Sequence, residues 1–361
     1  MPLGKYAIVA RLGKGLFSVA GPRLIQLAFM HPYDVMVLPP MDSPGELVDN
    51  LICFISARLR RKPFMVFSER WFYEQLKVGI IRKIYRMFDF RVFAFCAKRA
   101  QICIACGGSK QIEYFKRCGV EEQKLVSVPY ISNVVTKAMS ESALRRGANA
   151  IRSELELGGA IVVMCVARLV MYKGSQYLLE AIKKVSVDHG RTNVRLVIVG
   201  GGDYYDSGEF YGEELENLSI TLGISRIVRF VGFIDSNELC YYYYMCDLLV
   251  YPSIAITFAD TGCLPVSDAM FFSKPVIATD AVGYAHDLVR DGFNGFLVPP
   301  RDSDAICKAI IKTIESKERC KEMGRNSKRL LEERGFTFEM MVSNFNGAVS
   351  AVMGSRSHER D

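Results

Sequence analysis

Between residues 160 and 315 short apolar runs alternate with longer amphipathic ones, and few folds accept that pattern. AIVVMCVAR (160–168) is apolar without alternation, the mark of a strand buried on both faces. SQYLLEAIKKVSVDHG (175–190) has helical spacing, and VRLVIVGGG (194–202) is a second strand that ends in glycines. Helix-like YGEELENLSITLGI (211–224) precedes a short strand, IVRFVGF (227–233). The series continues through helix SNELCYYYYMC (236–246), with Ser236 as its expected N-cap, and strand DLLVYPS (247–253). It ends with helix LPVSDAMFFS (264–273), strand KPVIATD (274–280) and strand GFLVPP (295–300). Strands separated by helices imply a parallel sheet covered on both faces, with ligands held outside the carboxyl ends of the strands.

The N-terminal half is less regular. YDVMVL (33–38), PFMVFSER (63–70), ICIACG (102–107) and KLVSVPY (124–130) read as strands, with helices at about 46–61, 75–100 and 109–118. The segment 131–158 reads as a linker plus a helix. The expected division is therefore a Rossmann-like domain at 1–135, a second domain at 136–335, and a C-terminal helix and tail at 336–361.

A length of 361 residues suits two domains better than one. Half of the residues are hydrophobic and 24% are charged, which fits folded globular domains and excludes global disorder. The opening MPLGKYAIVARLGKG lacks the apolar core of a signal peptide, and no run of about eighteen apolar residues suggests a membrane span. Eleven cysteines, scattered through apolar runs, read as reduced buried thiols, so the expected location is the cytoplasm. Four histidines, none near another, give no metal-ligand spacing, and no metal or cofactor is expected. Charge is uneven: residues 1–133 hold 20 Lys+Arg against 10 Asp+Glu, a net of +10, and the remainder carries −3. The first half therefore calls for an anionic partner.

The second half resembles the retaining glycosyltransferases of family 4, also described as glycosyl transferases group 1. The resemblance runs from about 124 to 300 and rests on motifs in order: VARLVMYKG (166–174), VIVGGG (197–202), VRFVGF (228–233), CDLLVYPS (246–253), LPVSDAM (264–270), KPVIATD (274–280) and DGFNGFLV (291–298). It implies a GT-B fold: two Rossmann-like domains facing a cleft, with the N-terminal one shortened here. It also implies a nucleotide-diphosphate sugar as donor and a glycan or lipid-linked intermediate as acceptor.

The chemistry asks for cations at the leaving diphosphate, where negative charge grows. By resemblance Arg168 and Lys173 fill that role, with Gly201, Phe233, Leu264 and Pro265 around the donor. Gly200, Gly201 and Gly202 permit close approach of backbone to ligand. Pro265 sits in the first turn of its helix, whose N-terminus suits phosphate. The family carries two glutamates separated by seven intervening residues, and this chain has Asp260 and Asp268 at that spacing. Asp268 would accept the ribose hydroxyls; its plain alternative is a carboxylate on a helix surface. Asp260 would contact the transferred sugar or steady charge at its anomeric carbon. Where the family places a histidine, this chain has Ser68-Glu69-Arg70-Trp71, which makes Glu69 the candidate catalytic group facing the acceptor. A salt-bridged structural Glu69 is the other reading. Gly13-Lys14-Gly15 reads as a plain turn rather than a substitute for the family's glycine loop.

Residues 76–99, LKVGIIRKIYRMFDFRVFAFCAKR, interleave cations with large apolar groups. Two readings stay open: an interfacial helix on the anionic inner face of a membrane, or a core helix with a solvated basic face. No nucleic-acid module appears. Beside a retaining transferase stand a nucleotide-sugar epimerase of the same fold and a non-catalytic sugar-nucleotide-binding subunit. The missing G-x-G-x-x-G loop argues against an oxidoreductase.

Overall fold

The computed structural model describes residues 7–8, 28–38, 44–68, 71, 80–135, 139–201, 208–254 and 264–354. The chain divides into two units: residues 1–130 with 339–361, and residues 131–338.

The first unit carries a parallel five-stranded sheet in sequential order. Its strands are β1 (Ala7–Ile8), β2 (Met36–Leu38), β3 (Phe64–Ser68), β4 (Ile102–Ala105) and β5 (Leu125–Ser127). β3 shows why both faces need cover: all five of its residues are buried or half-buried. Phe64 stacks edge-on against Phe54 of the Pro44–Leu59 helix, at 5.4 Å between ring centroids. Its neighbour Met65 joins a separate cluster with Val35, Ile102, Ile104 and Val128. Successive residues of a strand point to opposite faces, so these two clusters lie on opposite sides of the sheet. Parallel strands in sequential order, joined by right-handed crossovers, place their connecting helices on one face. The second face is covered from the far end of the chain: Ala348, Val349 and Val352 of the Phe338–Gly354 helix pack into the Met65 cluster. Asn344 fixes this helix by donating to the Ser127 carbonyl at 2.9 Å.

The second unit carries six parallel strands in the order β11-β10-β9-β6-β7-β8. They are β6 (Ile161–Val166), β7 (Val194–Val199), β8 (Val228–Phe230), β9 (Leu248–Tyr251), β10 (Val276–Thr279) and β11 (Gly295–Val298). β6, β9 and β10 are almost wholly buried, as continuous apolar runs require. The chain builds outward from β6 to β7 and β8, then crosses back to add β9, β10 and β11 on the other side. The strand order thus reverses between β6 and β9, and that is where such sheets hold ligands. Asp235, not Ser236, caps the Ser236–Met245 helix: its carboxylate accepts from the Asn237 N–H at 2.8 Å. The helix thus starts one residue earlier than expected, and a carboxylate at its cap also complements the helix dipole.

Candidate functional site

Arg168 and Lys173 leave β6 at its carboxyl end, beside the reversal. The loop that carries them is held on both sides. Toward β7, Ala167 N–H donates to the Val199 carbonyl and Leu169 N–H to the Gly201 carbonyl, each at 3.0 Å. Toward β9, the Tyr172 carbonyl accepts from Ile254 N–H at 2.7 Å and from the Ser253 hydroxyl at 3.2 Å. One turn of 3-10 helix, Met171–Lys173, then closes on Gly174 at φ +74°, which opens the Ser175–Lys183 helix. A Cβ at Gly174 would run into the Pro252 carbonyl, so only glycine lets the loops after β6 and β9 lie this close. Gly200 has the same function toward β6: at φ +140°, its missing Cβ leaves room for the Ala167 carbonyl.

The two cations differ in setting. Lys173 is half-buried and donates to the Tyr251 hydroxyl at 2.7 Å, bridging the ends of β6 and β9 directly over the reversal. Its ammonium also lies 5.2 Å from the Tyr251 ring centroid and 5.5 Å from that of Tyr172. Arg168 is exposed and donates to the Tyr172 hydroxyl. Both positive side chains are thus oriented by tyrosine hydroxyls at the ends of the strands, and cations held in place there suit an incoming diphosphate.

Asp268 lies on the Leu264–Phe271 helix, which packs on β9 and β10. It is not a surface carboxylate: only 3% of it is exposed. Ser132, at the start of the second unit, donates its hydroxyl to the Asp268 carboxyl at 2.6 Å across 136 residues of chain. The buried Tyr243 hydroxyl faces the same carboxyl, although it completes no hydrogen bond of good geometry. Burial pushes the Asp268 pKa up to about 7, against the smaller downward pull of Ser132 and Tyr243. Among the other expected residues, Pro265 is half-buried, Leu264 is exposed, and Phe233 is 81% exposed. Gly201 is half-buried, and a Cβ there would meet the Phe233 Cβ at an ordinary 3.6 Å. Asp260, Glu69, Gly202 and the Gly13-Lys14-Gly15 stretch lie outside the described residues.

Sequence reasoning missed Tyr172, Tyr251, Ser132 and Tyr243. Tyr251 had a signal, being a phenol that ends an otherwise apolar strand in CDLLVYPS. Ser132 had none, since nothing local ties a linker serine to a helix 136 residues away.

Residues 148–330, half of the chain, match the model of the family described as Glycosyl transferases group 1. The chain belongs to this family. An uncharacterized glycosyltransferase of Methanocaldococcus jannaschii is 30% identical over 153 residues, 42% of this chain and 35% of that protein. The O-antigen chain mannosyltransferase C of Escherichia coli is 25% identical over 186 residues, 52% of this chain and 45% of its own. The chain thus spans less than half the length of these two relatives. Among solved structures, HepE of Anabaena in complex with UDP superposes with a TM-score of 0.73 at 22% identity, covering 91% of this chain and 81% of HepE. At that identity the likeness is one of fold, and the fold of this group 1 member is GT-B.

Proposed function

We propose that the chain is a retaining glycosyltransferase that moves a sugar from a nucleotide-diphosphate donor to a hydroxyl of a glycan or lipid-linked acceptor. The observation that carries this reading is the pair Arg168 and Lys173, set by tyrosine hydroxyls at the point where the donor-side strand order reverses. As the bond from the anomeric carbon to the diphosphate breaks, negative charge builds on the leaving oxygen. Two preorganised cations stabilise that charge without reorganising and without a metal. Asp268 accepts hydrogen bonds from the ribose hydroxyls, a role that needs its ionised form. Asp260 acts at the anomeric centre and Glu69 toward the acceptor. Family membership and the UDP complex of HepE support a nucleotide donor. The E. coli mannosyltransferase, named for the O-antigen chain, supports a glycan acceptor.

The proposal extends to location: the N-terminal unit touches an anionic membrane face from the cytoplasmic side. No helix among the described residues is long and apolar enough to cross a membrane. On the Ile80–Arg99 helix, Phe88, Arg91, Phe95 and Arg99 follow one another at spacings of three and four, which places them on one side, and all four are exposed.

The deciding experiment incubates the protein with UDP-sugars and a lipid extract, then reads the anomeric configuration of the product by NMR. Transfer with the donor's configuration preserved supports the reading. An inverted product would remove retention, and donor epimerised without any acceptor would replace transfer altogether.

A further inference from the structure

A cavity opens at the other end of the six-stranded sheet, where its strands begin. Its volume is about 610 Å³. Ile161 starts β6, Asn193 precedes β7, Asp247 precedes β9 and Lys274 precedes β10, and all four line it. β6 is six residues long, so roughly 20 Å of strand separates this cavity from Arg168 and Lys173. The two sites are therefore distinct.

The lining is cationic. Arg152, Lys274, Lys317 and Lys321 converge from three segments, against the single carboxylate of Asp247. Asp247 is already committed: it accepts from Val162 N–H at 2.8 Å and lies 4.0 Å from Arg152. Arg152 is locked in place by donating to the Met245 and Ala160 carbonyls, both at 2.6 Å. Lys274 donates to the Tyr244 carbonyl at 2.8 Å. Lys317 and Lys321 are exposed, one turn apart on the 17-residue Lys317–Glu333 helix, which begins at the cavity. Its first-turn N–H groups have no acceptor within the helix, apart from Arg319 N–H, which the Ser316 hydroxyl caps at 3.1 Å. Gly158 and Gly159 leave open space on the facing loop, where a Cβ would meet nothing within 4 Å. A ligand entering here meets excess positive charge, free N–H donors and a partly apolar floor from Ala160, Ile161 and Ile314.

We propose that this cavity binds a small phosphorylated metabolite at a site separate from the donor. The phosphate engages Lys317, Lys321 and the helix N-terminus, and the remainder of the molecule lies on the apolar floor. Its volume lies within the range of small-molecule sites and is larger than one phosphate needs. Because the ligand spans the loop at 158–160 and the Lys317–Glu333 helix, its binding stabilises the donor-side unit by linkage.

The test titrates inorganic pyrophosphate into the full chain carrying Arg168→Ala and Lys173→Ala, which removes those two cations from the other end of the sheet. One equivalent should still bind, with a rise in melting temperature and a decline in affinity with salt. Adding Lys317→Ala and Lys321→Ala should weaken that binding by at least about tenfold, the effect of losing charged hydrogen bonds. Lys308→Ala and Lys312→Ala, which remove the same charge from another face of the same unit, should leave it intact. Absence of pyrophosphate binding in the first variant, or equal weakening by both lysine pairs, overturns the proposal. Unliganded melting temperatures of all variants establish that they fold.

Discussion

The two sheets of this protein solve the same covering problem differently. The donor-side sheet reverses its strand order at β6 and β9, buries both faces with helices from its own stretch of chain, and sets two cations at the reversal. The five described strands of the N-terminal sheet are sequential, with no reversal among them, and one face takes its cover from the Phe338–Gly354 helix. The difference separates two tasks. A reversal makes a fixed crevice at strand ends, where a diphosphate can meet preorganised charge. A sequential sheet offers no such crevice, and the most distinctive feature of its unit lies on a helix surface, where cations and phenyl rings alternate.

The largest effect should come from breaking the crevice itself. Gly200→Val adds a side chain at φ +140° that collides with the Ala167 carbonyl, and both strain and clash oppose folding of the donor-side unit. A loss of about 4 kcal/mol or more is expected in chemical denaturation. Gly201→Ala, one residue on, meets only an ordinary contact with Phe233 and should cost under about 1 kcal/mol. Similar losses in both would mean that the close approach of β6 and β7 is not what the glycine serves.

Next come the cations. Arg168→Ala and Lys173→Ala should each weaken UDP binding by about 1.5–3 kcal/mol by calorimetry, while uridine binding stays unchanged. Tyr251→Phe should reproduce part of the Lys173 loss, because it removes the hydroxyl that positions the ammonium. Normal UDP affinity in the first two variants would move the donor site away from the strand reversal.

Asp268 sharpens the comparison through pH. Its folded pKa, near 7, lies above the ordinary carboxylate value, so the folded state keeps a proton that the unfolded chain has released. Between about pH 4 and 7 this group therefore lowers stability as pH rises, and above 7 its contribution no longer changes. Asp268→Asn should flatten that slope in pH-dependent melts. If the ribose role is right, it should also raise the KM for donor with a smaller effect on kcat. An unaltered slope would show that the carboxyl is not the titrating group.

The central strands of the six-stranded sheet, β6, β7, β9 and β10, were legible because they are buried on both faces and so write themselves as continuous apolar runs, AIVVMCVAR and DLLVYPS being the clearest. Gly174, Arg168 and Lys173 were legible as a local frame after such a strand. What escaped depends on distance along the chain. The pattern of the Phe338–Gly354 helix says that it has an apolar side, but not that the side belongs to a sheet more than 200 residues earlier. The depth of Asp268 escaped for the same reason: its surroundings come from Ser132 and Tyr243, on two other segments. Asp235 as the cap in place of Ser236 is the one local miss, where two good capping residues were adjacent.

The smallest effect per residue belongs to the helix surface of the N-terminal unit, and it tests whether that unit's charge has a partner. Phe88 is 58% exposed and Phe95 46%. The Arg99 guanidinium lies 3.7 Å from the Phe95 ring centroid, so cation and ring form one patch rather than separate points. Buried in a headgroup layer, the rings gain apolar contact while Arg91, Lys98 and Arg99 meet anionic lipid, each cation contributing about 1 kcal/mol. Single Gln replacements at these three positions should each lower partitioning onto anionic vesicles by about fivefold in a flotation assay, roughly additively. Half-molar salt should detach the protein, since its Debye length is only a few ångströms. UDP affinity should be untouched, because Arg168 and Lys173 belong to the other unit. Phe88→Ala and Phe95→Ala should weaken binding at every salt concentration. Equal flotation on neutral and anionic vesicles would assign the contact to the rings alone. Absence of flotation on both would leave the cations as a solvated face and point to an acceptor that is not held in a membrane.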